Sequence, residues 1–214
     1  MKHLNFLLAT SFAIASVGTV YARASDKPDI ERLGRLVQSN SSGNARFYGD
    51  SAFVKTGKRS YITKFAKMLA KVPDDVAKYE VVLKMAIWQW ENKTEVKAYT
   101  SDLAGAMAFY TVTNIGVAHN ENSKDYLIPN LVDQYKKCLS SKMVAGMSNS
   151  RKEDLYDFMV TESMYMEVLI ASEPEMRMPE VLDQVKSLSV MNCQDIFGVS
   201  SETLAVTESG LIFQ

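Results

Sequence analysis

Apolar residues recur every three or four positions along most of the chain, which is the spacing of one face of an α-helix. Alternating patterns typical of β-strands are nearly absent. The sequence therefore predicts an all-α protein, a bundle of about six helices in a single domain. A short first helix is expected over about 28–37, and apolar stripes mark further helices over residues 62–72, 76–90, 103–118, 131–139, 155–170 and 181–188.

Several of these helices are bounded by residues that favour helix termini. Pro73 is expected to end the helix before it, since proline lacks the amide donor that a helix needs. Ser150 and Glu153 have the spacing of a capping box, in which each side chain accepts a backbone N–H of the other residue. Pro174 is expected to end the helix that this box starts, and Pro179 to open the last long helix.

The segment Leu103–Ala118 differs from the others because it has no charged residue and is apolar nearly all round. A helix without a polar face is buried on all sides or lies in a membrane. Its 16 residues are fewer than the roughly 20 that cross a bilayer, and Thr111 and Asn114 interrupt the apolar run. We therefore expect a central apolar helix, opened by Asp102, around which the others pack.

Residues 1–24 have the pattern of a cleavable signal peptide. Lys2 precedes an apolar run without an acidic residue, and small residues allow cleavage before Arg23 or before Ser25. An uncleaved membrane anchor is the alternative, but the run is shorter than the roughly 20 apolar residues that an anchor needs. The expected product is a periplasmic or secreted protein, in which residues 25–214 form one helical domain with no membrane span.

The charge of the chain limits the classes of partner. The 24 basic and 25 acidic residues give a formal net charge of −1, and no block of basic residues occurs. Nucleic acids and anionic membrane surfaces attract strongly basic patches, so neither is expected as a partner. A protein partner is the expectation that remains.

Two cysteines, Cys138 and Cys193, are present. In an oxidising compartment an even number of cysteines most simply forms disulfides, so the sequence predicts a Cys138–Cys193 bridge. The alternative is two separate buried thiols.

Residues that carry common enzyme chemistry are scarce. His119 is the one histidine left after signal cleavage, and it is expected at the end of the central helix, where it acts as a cation near the helix C-terminus. No nucleophile elbow, phosphate-binding loop or zinc-binding His-Glu-x-x-His helix occurs in the sequence. We therefore predict no catalytic residue, no cofactor and no metal site.

Glu162 is the most unusual polar residue because it falls in the middle of an apolar helical stripe. A carboxylate on a buried face is costly unless it has a partner. Asn114 and Tyr110 occupy the corresponding line of the central helix, so Glu162, Asn114 and Tyr110 form a candidate buried polar site. It is either a functional site in which the pKa of Glu162 is raised, or, as we favour, a structural hydrogen-bond network.

Methionine is frequent, with 12 residues, and three pairs have spacings that could present thioethers to Cu(I) in an exported protein. The alternative is that these flexible side chains fill gaps in the core, which is the interpretation we favour. The pairs are Met164 with Met166, Met143 with Met147, and Met176 with Met178.

Three parts of the chain carry a resemblance to a known family. They are the segment Asp102–Tyr110, the helix around Glu162, and the ending that includes Phe197-Gly198-Val199, Leu204 and Thr207–Leu211. In these parts the chain resembles a bacterial family of exported proteins known only as a domain of unknown function, number 6683. The resemblance implies an exported helical domain over nearly the whole mature chain, and it implies no activity and no catalytic residues.

Taken together, these features favour a non-enzymatic binding or accessory protein of the bacterial envelope, such as a partner of a secretion or conjugation machine or an immunity-type protein. One alternative is a carboxylate-dependent hydrolase with Glu162 as acid or base, and another is a methionine-based copper-handling protein. An open cleft in which Glu162 faces a second acid would favour the hydrolase. A Glu162 sealed from solvent would favour the binding protein.

Overall fold

A computed structural model describes residues 27–40, 51–70, 72–93, 96–121, 124–139, 142–176 and 179–214. The predicted signal peptide lies outside the described residues. Within the described part, eight α-helices pack together and a small antiparallel hairpin follows them. The helices are α1 (Lys27–Asn40), α2 (Ser60–Leu69), α3 (Val76–Glu91), α4 (Leu103–Ala118), α5 (Ile128–Leu139), α6 (Lys142–Ala145), α7 (Asn149–Met176) and α8 (Pro179–Phe197), and the strands are β1 (Leu204–Thr207) and β2 (Gly210–Phe213). The predicted helical bundle is confirmed, with more helices than the expected six.

Helix α4 is the centre of this bundle, as the charge-free segment predicted. Every one of its residues is buried, and its main packing partners are α5, α7 and α8. The Asp102 carboxylate caps its first turn by accepting a hydrogen bond from the Ala104 N–H at 2.9 Å. Near this end a Cβ on Gly105 would lie 2.4 Å from the Cβ of Tyr99, so the turn before α4 packs against it only because residue 105 is glycine.

Helices α1, α2 and α3 pack in two groups, mainly against the helices that surround α4. Helices α2 and α3 pack together and against α7, and Trp90 of α3 stacks on Phe109 of α4 with ring centroids 3.9 Å apart. Helix α1 packs against α8 and α5. A Cβ on Gly34 would lie 1.7 Å from the carbonyl oxygen of Ile196, so this glycine sets how closely α1 approaches α8.

Three predicted helix boundaries are wrong in detail. Helix α2 ends at Leu69, where the chain turns to an extended conformation, so Val72 is exposed instead of continuing the apolar stripe. Helix α7 runs past Pro174 to Met176, because a proline removes one helical hydrogen bond without always ending the helix. The start of α7 is capped by Ser148, whose Oγ accepts the Arg151 N–H at 3.2 Å, instead of by the predicted pair Ser150 and Glu153.

The C-terminal hairpin was not expected from the sequence. Its strands are four residues each, and they pair from Leu204 with Phe213 to Thr207 with Gly210. Gly210 has a φ of 105°, a left-handed conformation that glycine adopts without strain. Runs this short carry too few alternating positions to be distinguished from loop.

Within the described ranges, none of the helices has the length and apolar composition that crossing a membrane would require.

Candidate functional site

The buried polar site predicted from the sequence contains a direct contact between α4 and α7. The Tyr110 hydroxyl donates a hydrogen bond to Glu162 Oε2 at 3.0 Å. Glu162 is 2% exposed and Tyr110 is 1% exposed, so the contact lies inside the core. The ring of Phe158, one turn before Glu162, packs against the Tyr110 ring. The carboxylate therefore has a hydrogen-bond donor although it lies among apolar side chains.

Asn114 extends this contact toward α8. Its Nδ2 donates to the Tyr110 carbonyl at 2.8 Å, and its Oδ1 accepts from Asn192 Nδ2 at 2.7 Å. Asn192 and Asn114 are both buried. A line of polar side chains thus crosses the core from Glu162 on α7, through α4, to Asn192 on α8. The structure brings the three predicted residues together and adds Asn192, which the sequence reasoning missed.

A second polar group, which we name the strap cluster, was not predicted at all. It consists of Lys55, Arg59, Glu91 and Asp157. Arg59 Nη1 lies 2.8 Å from Asp157 Oδ1 and its Nη2 lies 3.2 Å from Glu91 Oε1, while Lys55 Nζ lies 2.7 Å from the same Glu91 oxygen. The cluster joins the last residue of α3 and the first third of α7 to the segment 51–59, which we call the strap.

Glu153 fixes the middle of the strap to the first turns of α7. Its carboxylate accepts the Gly57 N–H at 3.0 Å and the Thr56 N–H at 3.1 Å, and it also accepts the Thr56 hydroxyl. Arg59 has a φ of 42°, in the left-handed region that residues other than glycine rarely adopt. The contacts of the strap cluster hold this strained residue in place.

Asp157 is the electrostatic centre of the strap cluster. Its side chain is 0% exposed. Burial raises the pKa of this carboxyl to about 7; Arg59 opposes the rise, and Glu153, Glu91 and Asp154 add to it. Within the described part of the chain, Asp157 Oδ2 has no hydrogen-bond partner. One buried acid of α7 therefore titrates near neutral pH.

The two cysteines do not form the predicted bridge. Cys138 on α5 and Cys193 on α8 are free, buried thiols. Burial raises the pKa of Cys138 to about 11 and that of Cys193 to about 12, so neither thiolate is populated near neutral pH. An even cysteine count and an expected export signal give no information on the geometry between two helix faces, which decides whether a bridge forms. Each thiol packs as a small apolar side chain.

The methionine pairs lie mostly in the core. Met164 and Met166 are buried in α7, and Met143 and Met147 pack against the core while partly buried. The side chain of Met176 and the whole of Met178 lie outside the described residues. In the ranges that the structure covers, no group of three or more His, Cys, Asp or Glu side chains is arranged to hold a metal ion.

His119 ends α4, as the sequence predicted, and borders a small cavity. Its Nε2 lies 2.9 Å from the Ser201 carbonyl oxygen. The cavity has a volume of about 110 Å³ and lies between the last turns of α4 and strand β1. At its rim, Glu121 and Lys124 form an ion pair at 2.6 Å. Its lining consists of Val112, Ile115, Gly116, His119, Glu121, Lys124, Ala205 and Val206.

Comparison with known proteins gives one match. A family described as a family of unknown function, DUF6683, matches residues 20–214. No curated protein and no solved structure matches the chain. The family match covers nearly all of the sequence and includes the central helix, both polar groups of α7 and the C-terminal hairpin. The chain belongs to this family of unknown function, DUF6683.

Proposed function

We propose that the protein is exported by the signal peptide 1–24 and acts in the periplasm or outside the cell as a non-enzymatic binding or accessory protein. Its partner would be another protein of the bacterial envelope, such as a component of a secretion or conjugation machine, or a toxin that it neutralises. The observation that carries this proposal is the burial of Glu162, which is 2% exposed and hydrogen-bonded to Tyr110.

The burial of Glu162 argues against the alternative of a carboxylate-dependent hydrolase. Such an enzyme needs a cleft in which two carboxyl groups face a substrate and, for an inverting reaction, a water molecule. Substrate could reach Glu162 only if α4 and α7 moved apart, and that movement would expose a helix that is buried on every side. A structural carboxylate satisfies the same observations without any rearrangement.

The outer face of α3 offers a surface suited to a protein partner. Val81 is 57% exposed and Trp88 is 62% exposed, and they lie two helical turns apart on the side opposite the core residues of α3. Tryptophan is enriched among the residues that dominate binding energy in protein interfaces. An exposed tryptophan beside an exposed valine therefore supports a role in binding.

The test is crosslinking of the tagged full-length chain in its native host, followed by purification of the exported product and of the proteins attached to it. Each recovered protein is then purified and its affinity for the exported chain is measured directly. We expect one protein to bind in a stoichiometric complex, and Trp88→Glu to weaken that complex by about tenfold or more.

Met191→Glu is the matched control, since it places the same charge at another exposed apolar side chain, on α8. We expect it to leave the affinity unchanged. If no recovered protein binds the purified exported chain, or if the chain stays in the cytoplasm, the proposal is wrong.

A further inference from the structure

The two edges of the C-terminal hairpin can be distinguished from its register. The Gln214 N–H donates to the Thr203 carbonyl at 2.8 Å, so these two residues form a hydrogen-bonded pair. In an antiparallel ladder such pairs alternate with pairs whose N–H and C=O groups point away from the partner strand. The register therefore directs the backbone groups of Leu204 and Val206 outward from β1, and those of Leu211 and Phe213 outward from β2.

The β2 edge is closed at its centre by a side chain of α5. Gln134 Oε1 accepts the Leu211 N–H at 2.8 Å, and Gln134 Nε2 donates to the Leu211 carbonyl at 3.1 Å. One primary amide thus satisfies both outward groups of Leu211, in the same way as a neighbouring strand would. Covering an edge is one way in which proteins prevent a strand from pairing with another chain.

The β1 edge has no such cover at Val206. The Leu204 N–H is used within its own turn, where it donates to the Ser201 carbonyl. For the outward N–H and C=O of Val206, the described part of the chain provides no hydrogen-bond partner. Val206 is partly exposed, so these two groups form a short, open strand edge.

The open edge borders the cavity at the end of α4. Ala205 and Val206 form one wall of this cavity, and Val112 and Ile115 provide apolar lining. Its volume of about 110 Å³ exceeds the space of roughly three water molecules and is enough for a branched aliphatic side chain. The charges of Glu121 and Lys124 at the rim compensate each other, which favours an uncharged occupant.

We propose that the β1 edge and this cavity bind an extended, uncharged peptide segment of a protein partner. The backbone of the segment pairs with Val206, and one of its aliphatic side chains enters the cavity. Main-chain pairing at a strand edge with a pocket for a side chain is a recurring mode of peptide recognition. The inference rests on the proposed binding role and assigns to it a second surface, separate from Trp88.

The test begins with selection of a random-peptide phage library on the exported chain, followed by affinity measurements with the labelled, selected peptides. We expect an aliphatic residue within an uncharged, strand-forming segment to be enriched.

Two variants probe the two parts of the site. Val206→Pro removes the outward N–H, which an edge strand tolerates, and Ala205→Phe fills the cavity. Each variant should bind the selected peptides with an affinity lower by about tenfold or more.

Ile212→Ser is the matched control, because it changes an exposed apolar residue of the other strand without altering either the open edge or the cavity. It should leave the peptide affinity unchanged. A measurement independent of affinity is amide hydrogen exchange at Val206, which should slow when the peptide is bound.

The inference is overturned if no peptide is enriched, if the selected peptides lack an aliphatic preference, or if they bind the Val206→Pro and Ala205→Phe variants as well as the unmodified chain. It is also overturned if the edge pairs with a second copy, which would appear as dimerisation that Val206→Pro abolishes. If a natural partner recovered in the crosslinking experiment binds both variants with unchanged affinity, the peptide site at β1 is wrong, while the proposed binding function stands.

Discussion

Helix α7 buries Glu162 and Asp157 in two different ways. Glu162 meets the hydroxyl of Tyr110 on the central helix, and Asp157, five positions earlier, meets the guanidinium of Arg59 on the strap. The first contact joins two helices that already pack along their lengths. The second attaches a segment without regular secondary structure to the bundle and leaves Asp157 Oδ2 without a described partner. The comparison indicates that one carboxylate adds specificity to packing, whereas the other holds a loop in place.

Removal of Arg59 from the strap cluster should have the largest effect. Arg59→Ala leaves the buried Asp157 without its cation and leaves Glu91 paired with Lys55 alone, and breaking a largely buried ion pair costs about 3–5 kcal/mol. We expect the free energy of unfolding, measured by urea denaturation at about pH 8, where Asp157 is ionised, to fall by about 3 kcal/mol. Arg35→Ala, which removes an exposed arginine paired with Glu31 at 3.8 Å, should change it by less than about 0.5 kcal/mol. Equal effects of the two variants would show that the strap cluster does not stabilise the fold.

The second-largest effect is expected in the pH dependence of stability, and it comes from Asp157. Its pKa is about 7 in the folded chain and near 3.8 when unfolded, so between these values the folded state holds a proton that the unfolded state has lost. The stabilisation from this proton is complete below about pH 4 and is lost as the pH rises through about 7. Against Asp157→Asn, which does not titrate, the stability of the unmodified chain should decline over this range by on the order of 3 kcal/mol.

Asp183→Asn serves as the control for this measurement, because it changes an exposed aspartate of α8. Its stability should stay parallel to that of the unmodified chain across the same pH range. If the Asp157→Asn curve is also parallel, then Asp157 does not carry a raised pKa.

The smallest of the three effects is expected at Glu162. Glu162→Ala removes an acceptor of the Tyr110 hydroxyl and should cost about 1–3 kcal/mol, since a buried hydrogen bond between α4 and α7 is lost. Glu162→Gln keeps the shape and one acceptor oxygen, so it should cost less. A double-mutant cycle of Glu162→Gln with Tyr110→Phe measures the coupling in thermal melts. If Glu162→Ala melts like the unmodified chain, the interpretation as a buried network is wrong.

The sequence was informative about Glu162 because the signal was local. A single carboxylate in an apolar stripe stands out from its neighbours, and a charge-free helix such as α4 has to be surrounded by other elements. Tyr110 and Asn114 were then the polar residues on the facing line of that helix. The contact followed from two periodic patterns, each readable within a few turns.

Asp157 was missed because its environment depends on distant residues. It lies on the side of α7 away from the apolar stripe, where the pattern indicates solvent, yet all residues from Leu155 to Met166 are buried. The cover comes from the strap and α3, and Arg59 precedes Asp157 by 98 positions. No local periodicity reports such a contact. The cysteines and the hairpin were misjudged for the same reason, because the distance between helix faces and the pairing of four-residue strands are tertiary properties.

The complete enclosure of α4 has a consequence for how the chain acquires its structure over time. The helices that surround α4 most closely, α5, α7 and α8, all follow it in the sequence. During synthesis from the N-terminus, the chain therefore presents an incompletely covered apolar helix until residues up to Phe197 are available. Exposed apolar surface of this kind promotes aggregation and capture by chaperones during synthesis. The last fifth of the sequence thus determines whether the middle of the protein stays soluble while it folds.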